Sequence, residues 1–297
     1  MTFDEILKAT ALESEARQAR DSLKTLKKKA KDMAPTRGFA TSIRRRPFSV
    51  IAEVKTRSPS MGEIFPEKYA HLVHKVYERE PLVSAISVLT QNSNFGGSPE
   101  RLRQVKRETR KPVLRKDFIW SEYEIYFSRC NGADAILLMT NVVKERSRFR
   151  DLHSLATELG MDVLCEVHSA DELDLLPAEV KICGINSRKF MSNKRFFFSA
   201  LARQVNHDVT IDLDAFALFH QLPSHSIKIA ESGVTAENIK SVLEKYEFNA
   251  ALIGTGILKE NDVTVGRELG KIRARVDEVS SPESTHNSHR LGHPISA

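Results

Sequence analysis

Two opposite charges end the apolar part of "FSVIAEVKTRSPSMGEI" (48–64): Glu53 and Lys55, with only Val54 between them. Side chains alternate faces along a strand, so these two point the same way. A carboxylate and an ammonium facing one way at a strand end must pair, and pairing moves their pKa values. Other apolar runs end similarly. "PVLRKDF" reaches Lys116, in step with Leu114, and "DVLCEVH" reaches Glu166, in step with Leu164. "KICGINSR" carries Asn186 and Arg188 on one face, "IKIAESG" reaches Glu231 in step with Ile229, and "ALIGTG" ends in Gly254 and Thr255. Taken singly, each is as readily a solvated residue at the start of a loop. Two lysines and three glutamates converging on one rim form a candidate acid–base set. The small residues of "ESG" and "GTG" can bring backbone N–H groups up to a bound anion, which makes Gly233, Gly254 and Thr255 candidates for a phosphate site, with Lys55 as counter-charge.

The elements that must position these groups are legible as apolar runs. Strands are expected at Phe48–Val54, Val83–Leu89, Pro112–Arg115, Ala135–Met139, Asp162–Glu166, Ile182–Ile185, Ile227–Ala230 and Ala250–Ile253. Helical stretches alternate with them, among them Pro66–Glu80, Pro99–Arg110, Ser121–Asn131, Val143–Leu159 and Thr235–Tyr246. Near-continuous apolar strands separated by helices indicate a parallel sheet. Eight such units predict an α/β fold, a (β/α)8 TIM barrel, whose active site lies at the C-terminal ends of the strands. An open doubly wound sheet is the alternative, but no GxGxxG or GxxxxGK[ST] supports a nucleotide-binding version of it.

Residues 1–46 are expected to form a helical extension packed on a barrel spanning 47–277, with 278–297 a disordered tail rich in Ser, His and Pro. Within the extension, Leu12, Ala16, Ala19, Leu23, Leu26, Ala30 and Met33 recur at spacings of four and three, which predicts one amphipathic helix over 3–33. The tail's His286, His289 and His293 have no cysteine or fixed neighbour that would complete a metal site.

The chain of 297 residues is 41% hydrophobic and 28% charged, ordinary for a globular protein able to bury a large core. Its net charge is +6, and residues 1–46, with twelve Lys/Arg against six Asp/Glu, account for all of it. No aromatic residues interleave with those charges, so a solvated helical face fits better than nucleic-acid binding. No apolar run reaches a membrane span, and the N-terminus has no signal-peptide core. Cys130, Cys165 and Cys183 make an odd count without CxxC, which points to a reducing, cytoplasmic setting. A monomer is the favoured expectation.

The blocks "IAEVKTRSPSMG", "SVLTQNSNFGGS", "PVLRKDF", "GADAILLM", "LCEVH", "GINSR", "AESG" and "LIGTGIL" come in the order and approximate spacing of indole-3-glycerol phosphate synthases. The chain resembles that family from about residue 38 to 260, and its N-terminal helix is similar as well. The resemblance implies a lyase of tryptophan biosynthesis. Its substrate would be 1-(2-carboxyphenylamino)-1-deoxyribulose 5-phosphate and its product indole-3-glycerol phosphate, with release of CO2 and water. No cofactor or metal is implied, and the only partner is the phosphorylated small molecule.

By the same resemblance Lys116 is the general acid at the ribulose carbonyl, and Glu53, Lys55 and Glu166 carry the later proton transfers. Glu231 and Asn186 position the intermediate, Arg188 holds the anthranilate carboxylate, and Phe118 and Leu137 form an apolar wall. Ser58 and Ser232 join Gly233, Gly254 and Thr255 in binding substrate. Some positions depart from the family pattern. Lys189 and Phe190 follow Arg188 in place of an acidic or amide residue and Leu, and Gln91 replaces a common acidic residue. Thr255 stands where serine is frequent, and the segment at 189–208, with Phe196–Phe198, is about a dozen residues longer than usual. Two rivals are a barrel that binds a phosphorylated ligand without catalysis and another phosphate-binding barrel enzyme of the same pathway. The Glu53/Lys55 pair and the Lys116 motif argue against the latter.

Overall fold

The computed structural model describes residues 2–59, 61–190 and 209–280. Its centre is eight strands: β1 (Ser49–Val54), β2 (Val83–Leu89), β3 (Val113–Lys116), β4 (Ala135–Met139), β5 (Asp162–Val167), β6 (Ile182–Asn186), β7 (Ile227–Glu231) and β8 (Ala250–Ile253). Each pairs in parallel with the next, and β1 pairs with β8, so the sheet closes into a (β/α)8 TIM barrel. The strand ends fall within one residue of those expected from the apolar runs.

The strands are mostly apolar because both faces are covered. Ile51, Leu114, Leu137, Leu164, Ile229 and Leu252 fill the interior. Val50, Val88, Ile136, Val163, Ile185 and Ile253 alternate with them and pack beneath the helices. This alternation aims the chemistry: two residues beyond an inward apolar side chain, the next side chain is inward again. Glu53, Lys116, Glu166, Glu231 and Gly254 thereby follow Ile51, Leu114, Leu164, Ile229 and Leu252 up the barrel.

The N-terminal segment differs from the single helix expected over 3–33. Helix α1 (Phe3–Arg20) stops at Asp21, whose backbone is extended, and α2 (Leu23–Lys31) restarts from Ser22, whose hydroxyl accepts from the Thr25 N–H at 3.2 Å. A capping box between Thr2 and Glu5 starts α1. The buried face of α1 is Ile6, Thr10, Ser14 and Arg17, not the expected stripe, and Leu12 is 67% exposed. The reason is a buried carboxylate. Glu124, in the helix Glu122–Cys130, accepts from the Ser14 hydroxyl at 2.6 Å and from Arg17 at 3.0 Å. Its other oxygen pairs with Arg115 of β3 at 2.6 Å, and Arg115 reaches Asp117 at 2.7 Å. Helix α2 behaves as expected: Leu26 and Ala30 pack on Tyr123 and Phe127 while its lysines face solvent. Helix α3 (Phe39–Arg44) seals the opposite end of the barrel with Phe39 and Ile43.

Pro66–Glu80 is two short helices, Glu67–Ala70 and Val73–Arg79, and the helix expected over Thr235–Tyr246 narrows to Ile239–Lys245. The last helix, Asp262–Ser280, takes in residues 278–280, which were expected to belong to the tail. The segment 191–208, including Phe196–Phe198, and the tail histidines lie outside the described residues. Among the described residues no helix is long and apolar enough to cross a membrane.

Replacing Glu124 by Ala strands two buried guanidinium groups. The expected loss of stability is about 3–5 kcal/mol, read from urea unfolding, with earlier tryptic cleavage at Arg17 and Arg20 as α1 undocks.

Candidate active site

A cavity of about 740 Å3 opens at the C-terminal ends of the strands. The first charged pair on its wall comes from β1. Lys55 Nζ lies 2.6 Å from Glu53 Oε1, and both side chains are buried. Burial alone would raise the Glu53 pKa, but Lys55, Lys116 and Arg188 outweigh it and hold the carboxylate below its usual range. Burial lowers the Lys55 pKa, Glu53 offsets this only in part, and the neighbouring Arg188 and Lys116 add to the lowering. Lys55 is thus the more acidic ammonium of the site.

The second group centres on Lys116 from β3. Its Nζ is 2.7 Å from Glu231 Oε2 and 3.6 Å from Glu166 Oε2. Burial opposes the ammonium, yet Glu231, Glu166 and Glu53 together raise its pKa. Burial pushes Glu166 up, but Lys116 and then His168 bring it well below the usual carboxylate range. Glu231 is raised to about 8, first by burial and then, against the pull of Lys116, by Glu166. The two carboxylates share Lys116, and burial and Glu166 oppose its pull at Glu231.

Glycines make room for these carboxylates. A Cβ on Gly184 would sit 2.0 Å from Glu231 Oε1, and one on Gly254 would sit 2.2 Å from Glu53 Oε1 and 3.0 Å from Lys55 Nζ. Gly254 lines the cavity as expected, but its contact with Glu53 and Lys55 gives it a packing role that sequence reading did not assign.

Asn186 and Arg188 leave β6 on the cavity side, and Asn186 Oδ1 accepts from the Arg188 N–H at 3.0 Å. Phe118 and Leu137 line the apolar wall, joined by Leu89, Phe95, Met139 and Leu252. Phe118 is braced by Phe3 of α1 and by Phe95, with ring centroids 5.9 and 6.2 Å away. At the opposite rim Ser232 and Gly233 turn with φ of 66° and 71°, and Thr255, Asn238 and Lys259 line the same side. Ser232 is the one non-glycine residue in the left-handed region among the described residues, a conformation that costs a side chain about 1–2 kcal/mol. Two expected site residues stand apart from the cavity surface. Glu231 lies below it and reaches it through Lys116, and Ser58 is buried in the hairpin Arg57–Ser58/Gly62–Glu63, where its hydroxyl accepts from the Met61 N–H at 3.3 Å.

Sequence reasoning missed Leu252, Met139, Gly184, Lys259 and His168. The first three follow from strand alternation, because they stand two residues from Gly254, Leu137 and Asn186. Lys259 lies in a loop with no periodic signal.

Acid–base groups crowded at the C-terminal mouth of a closed parallel barrel place the protein among (β/α)8-barrel enzymes. The family is narrower. The family model for indole-3-glycerol phosphate synthase matches residues 3–268, and the chain belongs to that family. The indole-3-glycerol phosphate synthase of Leptospira interrogans is 38% identical over 235 residues, covering 78% of this chain and 86% of that protein. Those of Alkaliphilus metalliredigens and Neisseria gonorrhoeae are 32% and 34% identical, over 92% and 91% of this chain and 98% of each relative. A solved 3-hexulose-6-phosphate synthase from Salmonella typhimurium covers 77% of this chain and 99% of its own with a TM-score of 0.56, but at 15% identity it shares the fold alone.

Gly254→Ala displaces the Glu53/Lys55 pair without touching the core. The expected result is a fall in kcat of about a hundredfold with an unchanged circular dichroism spectrum, checked by steady-state assay of the folded variant.

Proposed function

We infer that this chain closes the indole ring of tryptophan biosynthesis, acting as a carbon–carbon lyase on 1-(2-carboxyphenylamino)-1-deoxyribulose 5-phosphate. The observation that carries this reading is Lys116, an ammonium set between Glu231 at 2.7 Å and Glu166 at 3.6 Å beside an apolar wall. An aromatic ring resting on Phe118, Leu137 and Leu252 presents its carboxylate-bearing carbon to the ribulose carbonyl, with Arg188 on the carboxylate. The carbon–carbon bond forms as Lys116 donates its proton to the carbonyl oxygen, and Glu231, protonated up to about 8 and 2.7 Å away, restores it. Carbon dioxide then leaves, and its bonding pair returns to the ring. In the last step Lys55, the more acidic ammonium, protonates the departing hydroxyl, while Glu166 or Glu53 removes the proton from the adjacent carbon; water leaves and the indole is complete.

Asn186 steadies the intermediate beside Glu231. The phosphate rests at the rim of Ser232, Gly233, Gly254 and Thr255, with Lys259 as an added cation. Ser58 supports this arrangement through the hairpin that borders the cavity. Three buried, unpaired thiols support a cytoplasmic protein.

Turnover of the carboxyphenylamino-deoxyribulose phosphate, followed by indole fluorescence, tests the reading. Wild-type protein is expected to turn over, and Lys116→Ala to lose about 10²–10⁴ in kcat. Substrate binding without any wild-type turnover would sink the reading and leave a barrel that binds without catalysis.

A further inference from the structure

Glu166 and Glu231 pose a question of choice. Both are fully buried, and Lys116 sits closer to Glu231, at 2.7 Å, than to Glu166, at 3.6 Å. Lys116 alone would therefore ionise Glu231 and leave the proton on Glu166. A second cation works against that order. His168, just past the end of β5, puts Nε2 3.3 Å from Glu166 Oε1. Its side chain is 12% exposed and is not among the groups lining the cavity.

A second carboxylate stands beside the imidazole. Glu172 Oε2 lies 3.5 Å from His168 Nδ1 and accepts from the His168 backbone N–H at 2.8 Å. Thr140 Oγ1, 2.5 Å from Glu172 Oε2, fixes that carboxylate. Besides His168, the charged groups facing Glu166 are Lys116 from β3, Glu231 from β7 and Arg188 after β6, while Asn141 Nδ2 lies 3.5 Å from His168 Nε2 and Asn141 Oδ1, without a partner, can take its place when the amide turns over.

We propose that His168, anchored by Glu172, is a positioning residue: as an imidazolium it keeps Glu166 ionised as the base and so assigns the shared proton to Glu231. The proposal rests on the reaction read above, and it deepens that reading by naming what separates the roles of two adjacent carboxylates. The titration of the group agrees. Burial lowers the His168 pKa, but Glu166 and Glu172 outweigh it and raise it to about 10, so the ring is charged through neutral pH. Glu166 is correspondingly held down while Glu231 is raised to about 8.

The test is the pH dependence of kcat for wild type, His168→Asn and Glu172→Gln, beside ¹⁵N spectra of the histidine rings in the unliganded full chain. In His168→Asn the folded pKa of Glu166 rises, so the acidic limb of kcat moves upward by at least about one pH unit. That is about a tenfold loss below the limb, with KM nearly unchanged. Glu172→Gln moves the limb the same way by less. A uniform fall in kcat at every pH would make His168 a structural prop and overturn the proposal, as would an unshifted profile. The spectra decide independently of turnover: both His168 ring nitrogens are expected to carry protons at pH 8, and a neutral ring there overturns the proposal even if the reaction itself has been misread.

Discussion

A carboxylate buried beside another carboxylate must find a cation or keep its proton, and this constraint organises the mouth of the barrel. Three glutamates project there, and Lys55 and Lys116 oppose them at 2.6 and 2.7 Å. The arrangement is unequal by design of position. Glu53 has a partner two residues away, just past the end of its own strand, whereas Glu166 and Glu231 divide Lys116 between them. Different proton affinities among chemically identical side chains follow from that inequality, and one set of carboxylates can then supply a base and a proton reserve together.

The scaffold keeps the unequal arrangement from relaxing. Lys116 faces inward, and its neighbours Arg115 and Asp117 enter the buried network that also holds Glu124, Ser14 and Arg17. Arg115 is fully buried and also donates to Thr90 Oγ1 at 2.9 Å and Ser128 Oγ at 2.9 Å. Rotation of β3 about its axis would break several of these bonds at once. Helix α1 contributes to the network through Arg17 and to the apolar wall through Phe3, so the segment that looked like an accessory in sequence braces both halves of the site.

What was legible in the sequence was whatever alternation controls. The eight strands are buried on both faces and read as apolar runs, and the groups in step with Leu114, Leu164 and Ile229 did arrive inside the barrel mouth. Glu53 and Lys55 could be recognised as a pair because they are close in sequence. The choice of Glu231 rather than Glu166 as the nearer partner of Lys116 could not, because it depends on where β3, β5 and β7 sit around a closed sheet. Helix α1 was misread for a related reason. Its docking face is polar and answers a carboxylate more than 100 residues away, so an apolar stripe pointed to the wrong side. His168 escaped notice because a histidine after a strand looks the same whether it meets water or a carboxylate.

Gly184 and Gly254 bear on how such a site could be moved to another barrel. Glu231 occupies the space a side chain at Gly184 would fill, and Glu53 does the same at Gly254. The unit to be inherited or transplanted is therefore a glutamate together with a bare backbone position on the adjoining strand, Gly184 of β6 beside β7 and Gly254 just past β8 beside β1. A donor glutamate grafted without its glycine would be turned away from the axis. Strand exchange between related barrels should accordingly succeed in adjacent pairs more often than one strand at a time, with β6 travelling with β7 and β8 with β1.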